Sequence, residues 1–332
     1  MFYMLGFYPP EGKSARDWRK LKVEVKRPGL TVRARRGYTL RAAGAAAGAK
    51  DAGAGKKGKR PTLDPVVARA LDSADDAAGI PLRIMTYVLE PHANGTTHVL
   101  IAAEFDGSRL GAEGKGKART GRLELSVLAT HRDTGREFRA DDMLALAVAG
   151  GEAPAWRALA RDFDLPPGIA QARVVVRDPA SGAVGSVSQR FEVPAAGGLR
   201  LSTPIVTDHV EPTPAMANRP RPALAVHRVF PTQGTLYIQF EVFGAARSAG
   251  GGLPRVAAGL VLRTRDGRVA RQAQPTPIAA DPDGRVVRFV GVPLDGLEEG
   301  PYDLVLEVHD EVNGARLLDG EPLTLAREAR SR

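Results

Sequence analysis

The sequence predicts an all-β protein in which two β-sandwich units follow a basic hairpin and a flexible linker. Alternating polar and apolar segments recur along the chain, separated by turn residues such as Asn94-Gly95 and Asp283-Gly284. Glycine (37) and proline (25) make up almost a fifth of the 332 residues, which suits short strands better than long helices. We expect this division of the chain: basic strands over 1–41, a linker over 42–64, a sandwich over 65–196, a Pro-rich connector over 197–221, and a second sandwich over 222–327.

The first element, residues 18–38, has the pattern of a basic β-hairpin. Apolar and charged residues alternate over 21–26 and again over 30–35, on either side of Pro28-Gly29. Proline fixes φ and glycine accepts positive φ, so this dipeptide predicts a tight turn. The hairpin holds eight Lys or Arg and one acid. We interpret the charges as a solvated sheet face rather than a nucleic-acid arm, because aromatic residues that could stack on bases stand only at its ends.

The stretch FYMLGFYPPEGKSARDWRKLKVEVKRPGLTVRARRGY resembles the closing segment of the von Willebrand factor A-related domain of large acidobacterial-type proteins. The matching features are Tyr3-Met4-Leu5-Gly6-Phe7, the basic strands about Pro28-Gly29, and the ending Arg35-Arg36-Gly37-Tyr38. The resemblance implies that residues 1–41 are the last strands of a truncated domain of this type, and that the protein is secreted or periplasmic. The Asp-x-Ser-x-Ser motif of that family, which binds a divalent metal, does not occur in the sequence. Metal-dependent adhesion is therefore not carried over.

The positive charge of the chain is concentrated near its N-terminus. Residues 1–61 carry 16 Lys or Arg against 4 Asp or Glu, a balance of +12, whereas the remainder carries 31 against 34. The sequence has no cysteine, which excludes disulfides, thiol catalysis and Cys-ligated metal sites. The sequence has no run of about 18 apolar residues, so no transmembrane helix is predicted. The N-terminus lacks the basic region and cleavage pattern of a secretory signal.

Two segments have the composition of connectors. Residues 42–64 are rich in Ala, Gly and Lys without a hydrophobic period, which predicts a flexible basic linker. Residues 53–58 match Gly-x-Gly-x-x-Gly, but they lack the preceding strand and following helix that a phosphate-binding loop needs. Residues 197–221 contain four prolines and no sustained alternation, which predicts the second connector. The linker supplies the one candidate anion-binding cluster: Lys56, Lys57, Lys59 and Arg60.

The two sandwich units share a repeated pattern. The stretch THVLIAAEFDG from Thr97 corresponds to TLYIQFEVFGA from Thr235. The stretches that begin at Leu165 and Leu297 both read Leu-x-x-Gly, an alternating strand, Asp-x-x-x-Gly and a second strand. The aspartate can bond backbone amides of a turn, and the glycine can take a left-handed conformation, so each loop closes a hairpin. The repeats resemble bacterial immunoglobulin-like or fibronectin-like modules.

The alternation also predicts which residues fill the cores. In the first sandwich we expect Ile101, Phe105, Leu125, Val127, Val174 and Val176 to point inward, and in the second Tyr237, Val261, Val287, Phe289, Leu304 and Leu306. Residues 152–163 are the exception to the pattern. Trp156, Leu159 and Phe163 are spaced by three and four, so this segment is either a short helix or a distorted strand at a sandwich edge.

No motif predicts a catalytic residue, a cofactor or a metal. Six histidines are scattered, and none has the i, i+4 spacing of a helical zinc site. His92 and His98 can face each other across a hairpin, but a two-His site lacks further ligands, so solvated or structural roles are favoured. Calcium could be bound by carboxylates such as those of Asp281-Pro282-Asp283-Gly284 and Asp141-Asp142. The twelve-residue loop pattern of a calcium site is absent, so turn and surface roles are favoured for these aspartates. Gly-x-Ser-x-Gly does not occur, and no carboxylate pair can be given an acid–base role.

Three classes of function remain. The first is a non-enzymatic, extracytoplasmic β-sandwich protein for adhesion, scaffolding or protein–protein recognition, with protein or cell-envelope partners. The second is a nucleic-acid or anionic-polymer binder that uses residues 13–60. The third is an enzyme, such as a carbohydrate-active one, which needs an acid pair or metal set that the sequence does not reveal. The first is favoured by analogy at the level of the fold.

Overall fold

The computed structural model describes residues 18–20, 37–39, 63–111, 120–147, 156–195, 197–211 and 221–327. The predicted all-β class is confirmed. Besides two single-turn 3-10 helices (Gly107–Arg109 and Ala249–Gly251), the elements described are, in chain order, β1 (Trp18–Lys20), β2 (Gly37–Thr39), α1 (Pro65–Asp72), β3 (Leu82–Pro91), β4 (Thr97–Asp106), β5 (Thr120–His131), β6 (Glu137–Ala147), β7 (Trp156–Leu165), β8 (Gly168–Arg177), β9 (Val184–Val193), β10 (Arg200–Leu201), β11 (Ile205–Thr207), β12 (Val210–Glu211), β13 (Arg221–Pro222), β14 (Val229–Pro231), β15 (Thr235–Phe243), β16 (Val256–Thr264), β17 (Val269–Ile278), β18 (Val286–Pro293), β19 (Gly300–Asp310) and β20 (Arg316–Ala326).

The chain divides into two compact units, Met1–Leu63 and Asp64–Arg332. In the first unit, β1 and β2 pair antiparallel, with Trp18 opposite Thr39. That register is the one expected for a hairpin centred on Pro28-Gly29. The dipeptide and the strands predicted beside it lie outside the described residues, so the resemblance to a von Willebrand factor A-related domain stays a prediction.

The first sandwich consists of a three-stranded sheet in the order β3-β4-β7 and a four-stranded sheet in the order β6-β5-β8-β9. All of these strand pairs are antiparallel. Alternate side chains of each sheet point to a shared apolar core, as the period of two requires. All six core residues predicted for this sandwich are at most 2% exposed.

The second sandwich repeats this arrangement. β15 pairs with β10, β11 and β18 in a four-stranded sheet, and the facing sheet has the order β14-β20-β19-β16-β17. We number the main strands so that β3–β9 are the first to seventh of the first sandwich and β15–β20 are the second to seventh of the second. In both sandwiches the second and fifth main strands then lie in one sheet, and the third, fourth, sixth and seventh lie in the other. The Tyr302 hydroxyl donates to the Glu298 carbonyl at 2.9 Å. A tyrosine that bonds back to the chain near the start of the sixth strand is a feature of immunoglobulin-type sandwiches.

The core predicted for the second sandwich is wrong at four of six positions. Leu304 and Leu306 are buried, but the other four lie on outer faces and are half-buried or exposed: Tyr237, Val261, Val287 and Phe289. Their sequence neighbours fill the core instead: Leu236, Ile238, Leu260, Leu262 and Val286. A one-residue shift exchanges the two faces of a strand. Both β16 and β18 carry apolar residues on both faces, so alternation alone could not choose between them. In β15 the polar residues Gln239 and Glu241 share the face of Tyr237 and mark it as the outer one.

For residues 152–163 the sequence predicts either a short helix or an edge strand. The structure describes this segment from residue 156 onward, where it is the strand β7. It forms the free edge of the three-stranded sheet. Leu159 and Phe163 point inward, since they pair with inward residues of β4 and are each only 9% exposed. Their spacing of four fits two strand repeats as well as one helical turn, which explains the ambiguity of the sequence.

The helix α1 was not expected from the sequence. Asp64 caps it by accepting from the Val66 amide at 2.8 Å, and Pro65 occupies the first turn, where its missing N–H costs nothing. The helix lies on the outer face of β8 and β9, where the buried side chain of Arg173 donates to the Ala70 and Asp75 carbonyls, each at 2.7 Å. This arginine therefore anchors the helix and the turn that follows it to the sheet.

The two Asp-x-x-x-Gly turns are built as the sequence predicts. The Asp178 carboxylate accepts from the Ala180 amide at 3.0 Å within its turn, and Asp310 accepts from the Val312 amide at 2.9 Å. Gly182 has φ 76° and Gly314 has φ 74°, the left-handed region that favours glycine.

Each of these aspartates also holds a distant loop. Asp178 accepts from the Gly111 amide at 2.7 Å, and Asp310 accepts from the Ala246 amide at 2.7 Å. Both side chains are at most 1% exposed. Because one carboxylate serves two loops, the turn after the sixth main strand is tied to the loop after the second in both sandwiches.

The predicted connector over residues 197–221 contains ordered strands. β10 and β11 lie within it, and both pair with β15 of the second sandwich. Thr203, between them, donates from its amide to the Val88 carbonyl at 2.8 Å, and its hydroxyl accepts from the Val88 amide at 3.0 Å. These residues therefore belong to the second sandwich and also extend the edge of β3. Prolines did not prevent pairing because they stand outside the two paired stretches.

The two sandwiches meet at a buried contact, which we call the joint. Residues 203–206 and 224–228 cover the outer face of β3 and β4. Tyr87, Ala102 and Val226 are buried together at its centre, each at most 5% exposed. Six half-buried apolar side chains pack around them: Met85, Leu89, Leu100, Ala160, Ile205 and Leu224. The outer face of this sheet is apolar where the second sandwich covers it.

Polar groups inside the joint are bonded across it. The Tyr87 hydroxyl donates to the Ala225 carbonyl at 2.8 Å, and the Glu104 carboxylate accepts from the Val226 amide at 3.2 Å. Burial favours the neutral form of Glu104, but hydrogen bonding and charge from His227, the Val226 amide and the charge of Arg83 outweigh it, so its pKa is lowered. Buried polar groups that are paired in this way hold the two sandwiches in contact at the joint.

Candidate functional site

A cleft of about 530 Å³ lies between the two sandwiches, beside the joint. Glu90 and Pro91, at the end of β3, line it from the first sandwich. The second sandwich contributes the end of β15, the loop that follows it and the start of β18: Glu241, Val242, Phe243, Gly244, Ala245, Arg247, Pro254, Asp283, Gly284, Arg285 and Val286. Both sandwiches thus contribute charged side chains to one concave surface, which is where binding sites commonly form.

Glu241 and Arg285 form the main ion pair of the cleft. The Arg285 Nε and Nη2 atoms donate to the two carboxylate oxygens of Glu241 at 2.9 and 2.6 Å, a two-point contact. This bonding and the charge of Glu241 raise the pKa of Arg285, and the charges of Asp281 and Glu90 add to the effect, whereas burial opposes it. Arg285 therefore remains a cation in the cleft and is close enough to Glu90 to interact with it.

Two further arginines stand near the cleft without a carboxylate. Arg247 lines it, is exposed, and makes no ion pair with any residue that the structure describes. Arg200 lies beside Phe243, with its guanidinium carbon 5.3 Å from the ring centroid. Its two terminal nitrogens are buried and receive no acceptor from the described part of the chain, and burial lowers its pKa. Arg247 thus adds a second cation to the cleft beside the paired Arg285.

Glu90 connects the cleft to a row of charged side chains on the outer face of the first sandwich. His98, on the central strand β4, has Nδ1 at 2.9 Å from Glu90 Oε1 and Nε2 at 2.8 Å from Asp162 Oδ1. His92 has Nε2 at 3.0 Å from Asp164 Oδ1. The His92 and His98 ring centroids are 6.3 Å apart. We call these five residues the histidine row.

The protonated form of His98 is favoured in the histidine row. Burial disfavours its charge, but the hydrogen bonds to Asp162 and Glu90 outweigh burial and raise the pKa of His98 above its ordinary value of 6.5. Reciprocally, the pKa of Glu90 is lowered, because its backbone bond and His98 together outweigh its own burial. The row therefore behaves as an imidazolium held between two carboxylates.

A second surface lies on the outer face of β15 and β18. Tyr237 and Phe289 are diagonal neighbours there, with ring planes 5° apart and centroids 5.7 Å apart. Val287 is 37% exposed beside them. We call these three residues the aromatic strip. Tyr237 lies opposite Gly291, where an added Cβ would crowd the Thr235 side chain at 2.9 Å rather than the ring.

The sequence-derived site residues have mixed outcomes. The anion-binding cluster Lys56, Lys57, Lys59 and Arg60 lies outside the described residues, as does the Gly-x-Gly-x-x-Gly match. His92 and His98 do face each other, as expected across their hairpin. Their carboxylate partners on β7 were missed. The missed signal is Asp162 and Asp164 at a spacing of two, which places both on one face of a strand.

The aspartates that suggested calcium have other partners in the structure. Asp281 accepts from the backbone amides of Asp283 and Arg285, which is the favoured turn role. Asp141 accepts from Ser126 and Arg139, and Asp142 pairs with Arg161 at 2.5 Å. Over the described ranges, no group of three or more His, Asp or Glu side chains is arranged to hold a metal ion. Among the described helices, none has the length and apolar character that a transmembrane span requires.

No protein-family model and no curated protein matches the chain. Solved structures that are similar to part of it include the following two. Trypsin-activated alpha-2-macroglobulin from Escherichia coli is 10% identical, with 77% of this chain and 17% of that one covered and a TM-score of 0.24. The CbhA fibronectin(III)-like modules of Clostridium thermocellum are 14% identical, with 76% and 98% covered and a TM-score of 0.20. This chain thus spans about a sixth of the macroglobulin's length. At such TM-scores the fold assignment rests on the sheets and cores described above.

Proposed function

We propose that the chain is a non-enzymatic β-sandwich protein that acts outside the cytoplasm in protein recognition and scaffolding, with protein or cell-envelope partners. The observation that carries the proposal is the joint. It holds two sandwiches of the same topology together through a buried apolar centre and bonds such as that of Tyr87 to Ala225. Two modules joined in this way present their surfaces together, which lowers the entropy lost when a partner binds both.

Recognition through a sheet face is favoured over addition of a partner strand. Arg161 on β7 and Arg288 on β18 point inward, opposite the buried residues Ile101 and Phe240. Inward charges on edge strands disfavour pairing with another chain. The aromatic strip instead offers Tyr237 and Phe289 on an outer face, and aromatic side chains are enriched in protein interfaces. We therefore expect a partner to contact the strip.

Site-specific photo-crosslinking tests this proposal. A benzophenone amino acid at Phe289 should give a discrete crosslinked protein when the chain is incubated with a cell-envelope fraction. The same residue at Met143, an exposed position (52%) on the first sandwich, is the matched control and should give no such product. Identical products at both positions, or none at Phe289, would contradict recognition through the strip.

Binding of an anionic polymer through residues 13–60 is a second candidate, favoured by the balance of +12 over residues 1–61. Affinity for a DNA duplex should fall steeply with salt, because cationic side chains that bind phosphates release counterions. Binding should be lost when Lys56, Lys57, Lys59 and Arg60 become Ala. A control with four exposed arginines of the sandwiches changed to Ala should retain it: Arg122, Arg132, Arg190 and Arg255. Equal binding by the two variants would exclude this role for the linker.

A further inference from the structure

We propose that His98 is a proton-operated latch: protonated, it holds Glu90 against the first sandwich, and deprotonated, it releases Glu90 into the cleft. This inference concerns the coupling of the two sandwiches and does not depend on the proposed function. It rests on the geometry of the histidine row and on the position of Glu90, which belongs both to the row and to the wall of the cleft.

The bonding of His98 requires both ring nitrogens to carry a proton. Nδ1 lies 2.9 Å from a Glu90 oxygen and Nε2 lies 2.8 Å from an Asp162 oxygen. An ionised carboxylate can only accept, whereas a neutral imidazole has one donor and one acceptor nitrogen. Loss of one proton therefore places a lone pair against a carboxylate oxygen, and one of the two contacts must break.

The charged groups around His98 determine what happens next. Glu90 faces it from β3, Asp162 and Asp164 face it from β7, and His92 lies beside it on the hairpin. When His98 is neutral, Glu90 and Asp162 lose the cation that lies between them, and Asp164 lies on the same face. Carboxylates that share one row without a cation repel each other, so the carboxylate that has an alternative partner moves out of the row.

Glu90 is the carboxylate with that alternative. Its side chain is 45% exposed, and across the cleft lie Arg285, Arg247 and Glu241. Glu241 already occupies Nε and Nη2 of Arg285, which leaves Nη1 as a donor, and Arg247 has no ion pair in the described ranges. Released Glu90 can therefore bind a guanidinium of the second sandwich, and this contact draws the walls of the cleft together.

The direction of the pH dependence follows from the bonding of His98. Because its pKa is raised above 6.5, the protonated latch is stable below that value and is lost as the pH rises through the higher folded-state pKa. Histidine is the side chain suited to such a change near neutral pH. The cleft is therefore open at mildly acidic pH and narrower at mildly alkaline pH.

Nitrogen NMR of the His98 ring is the first test. At pH 6 both ring nitrogens should carry a proton, and the titration midpoint of His98 should fall in Glu90→Gln and in Asp162→Asn, each of which removes one acceptor charge. A neutral ring at pH 6, or a midpoint unchanged in both variants, would overturn the latch. Glu90→Gln keeps His98 itself in place, so this test does not rely on a histidine substitution.

Distances between spin labels provide the second test. The chain has no cysteine, so Ala93→Cys in the first sandwich and Ala249→Cys in the second give a unique label pair at exposed positions. The distance should shorten between pH 5.5 and 8.5 in the otherwise native chain, and the shift should vanish in His98→Gln and in Glu90→Gln. His309→Gln, which removes a histidine bonded to one carboxylate on the second sandwich, should keep it. No shift in the native chain, or the same shift in all variants, would contradict the proposal.

Discussion

At the scale of single residues, the equivalent aspartates Asp178 and Asp310 show how one side chain can organise a sandwich. Each is buried, each closes its own turn, and each holds the amide of a loop far away in sequence, at Gly111 or Ala246. For Asp178, burial works against ionisation, but bonds from Ser181 and the amides of Gly111, Ala180 and Ser181 outweigh it and lower its pKa below 3.8. The charge of this residue therefore stabilises the fold.

We expect Asp178→Asn to destabilise the protein at pH 7. The amide nitrogen cannot accept from Gly111 or Ser181, and leaving such buried donors unpaired costs about 1–3 kcal/mol. Since the folded-state pKa is lowered, the native carboxylate stabilises the fold above pH 3.8, and this contribution is lost as the pH falls through the folded-state pKa. Urea unfolding between pH 7 and pH 3 should show the two proteins converging. Asp133→Asn, in an exposed turn, is the control and should change stability little.

We also expect Gly185→Ala to destabilise the first sandwich, because residues 77–80 approach β9 closely. A Cβ at this position would lie 2.1 Å from the Ile80 carbonyl oxygen, so the two backbones must separate. Such overpacking costs about 1–3 kcal/mol. Gly320→Ala is a matched control on a strand, since nothing lies within 4 Å of its added Cβ. Thermal unfolding should show a lower midpoint temperature for Gly185→Ala than for Gly320→Ala. Equal decreases in midpoint temperature in the two variants would show that the close approach does not matter.

At the scale of elements, α1 depends on the sheet beneath it. A helix of eight residues is too short to be stable alone in water. Its support comes from Val67, which is 2% exposed, and from Arg173, whose guanidinium also donates to Ser186 and Ser188. The segment and the sheet are therefore expected to be stable only together.

Arg173→Met tests this dependence. The change leaves the Ala70 and Asp75 carbonyls without their donor, at a cost of about 1–3 kcal/mol for each unsatisfied group. Hydrogen exchange should become faster over residues 64–80 while β5 and β8 stay protected. Arg190→Met, exposed on the neighbouring β9, should leave exchange in this segment unchanged. Retained protection of residues 64–80 in Arg173→Met would show that the apolar contacts suffice.

Most strands and turns could be predicted from the sequence because alternation and turn chemistry are local. Ile101 and Val127 were placed correctly, because apolar residues occupy every second position around them and polar residues are more frequent on the other face of each strand. Phe289 was misplaced because both faces of β18 carry apolar residues, and only the packing of the opposite sheet selects the inner one. Tyr237 was misplaced although the polar residues Gln239 and Glu241 share its face of β15. The partners of His98 could not be found locally, because Asp162 lies 64 residues away and is brought near by sheet pairing.

At the scale of the whole molecule, the joint couples the stabilities of the two sandwiches. Each has its own core, yet Tyr87, Glu104 and Val226 are buried between them. Unfolding of one sandwich exposes this apolar surface on the other. We therefore infer that the two sandwiches unfold together as long as the joint is intact.

A variant with Tyr87→Ala and Val226→Ser should separate the two unfolding events. The native chain is expected to give one calorimetric transition from the sandwiches, whereas the variant should give two, because the cost of exposing the joint has been removed. Leu318→Ser, at a position that is 68% exposed on the second sandwich, should keep the single transition. Two transitions in the native chain would show that the joint does not couple the sandwiches.

The inward arginines have a consequence for how the protein behaves when crowded. Arg161 on β7 bonds to Asp142 on β6, and Arg288 on β18 bonds to Thr276 on β17. In each sandwich a guanidinium therefore bridges the edge strands of the two facing sheets, and we call this side of the sandwich its flank. A neighbouring molecule that docked there to grow a fibril would bury that charge or break its bond. Concentrated solutions should therefore resist amyloid growth from these flanks, and replacing both arginines with leucine should remove that resistance.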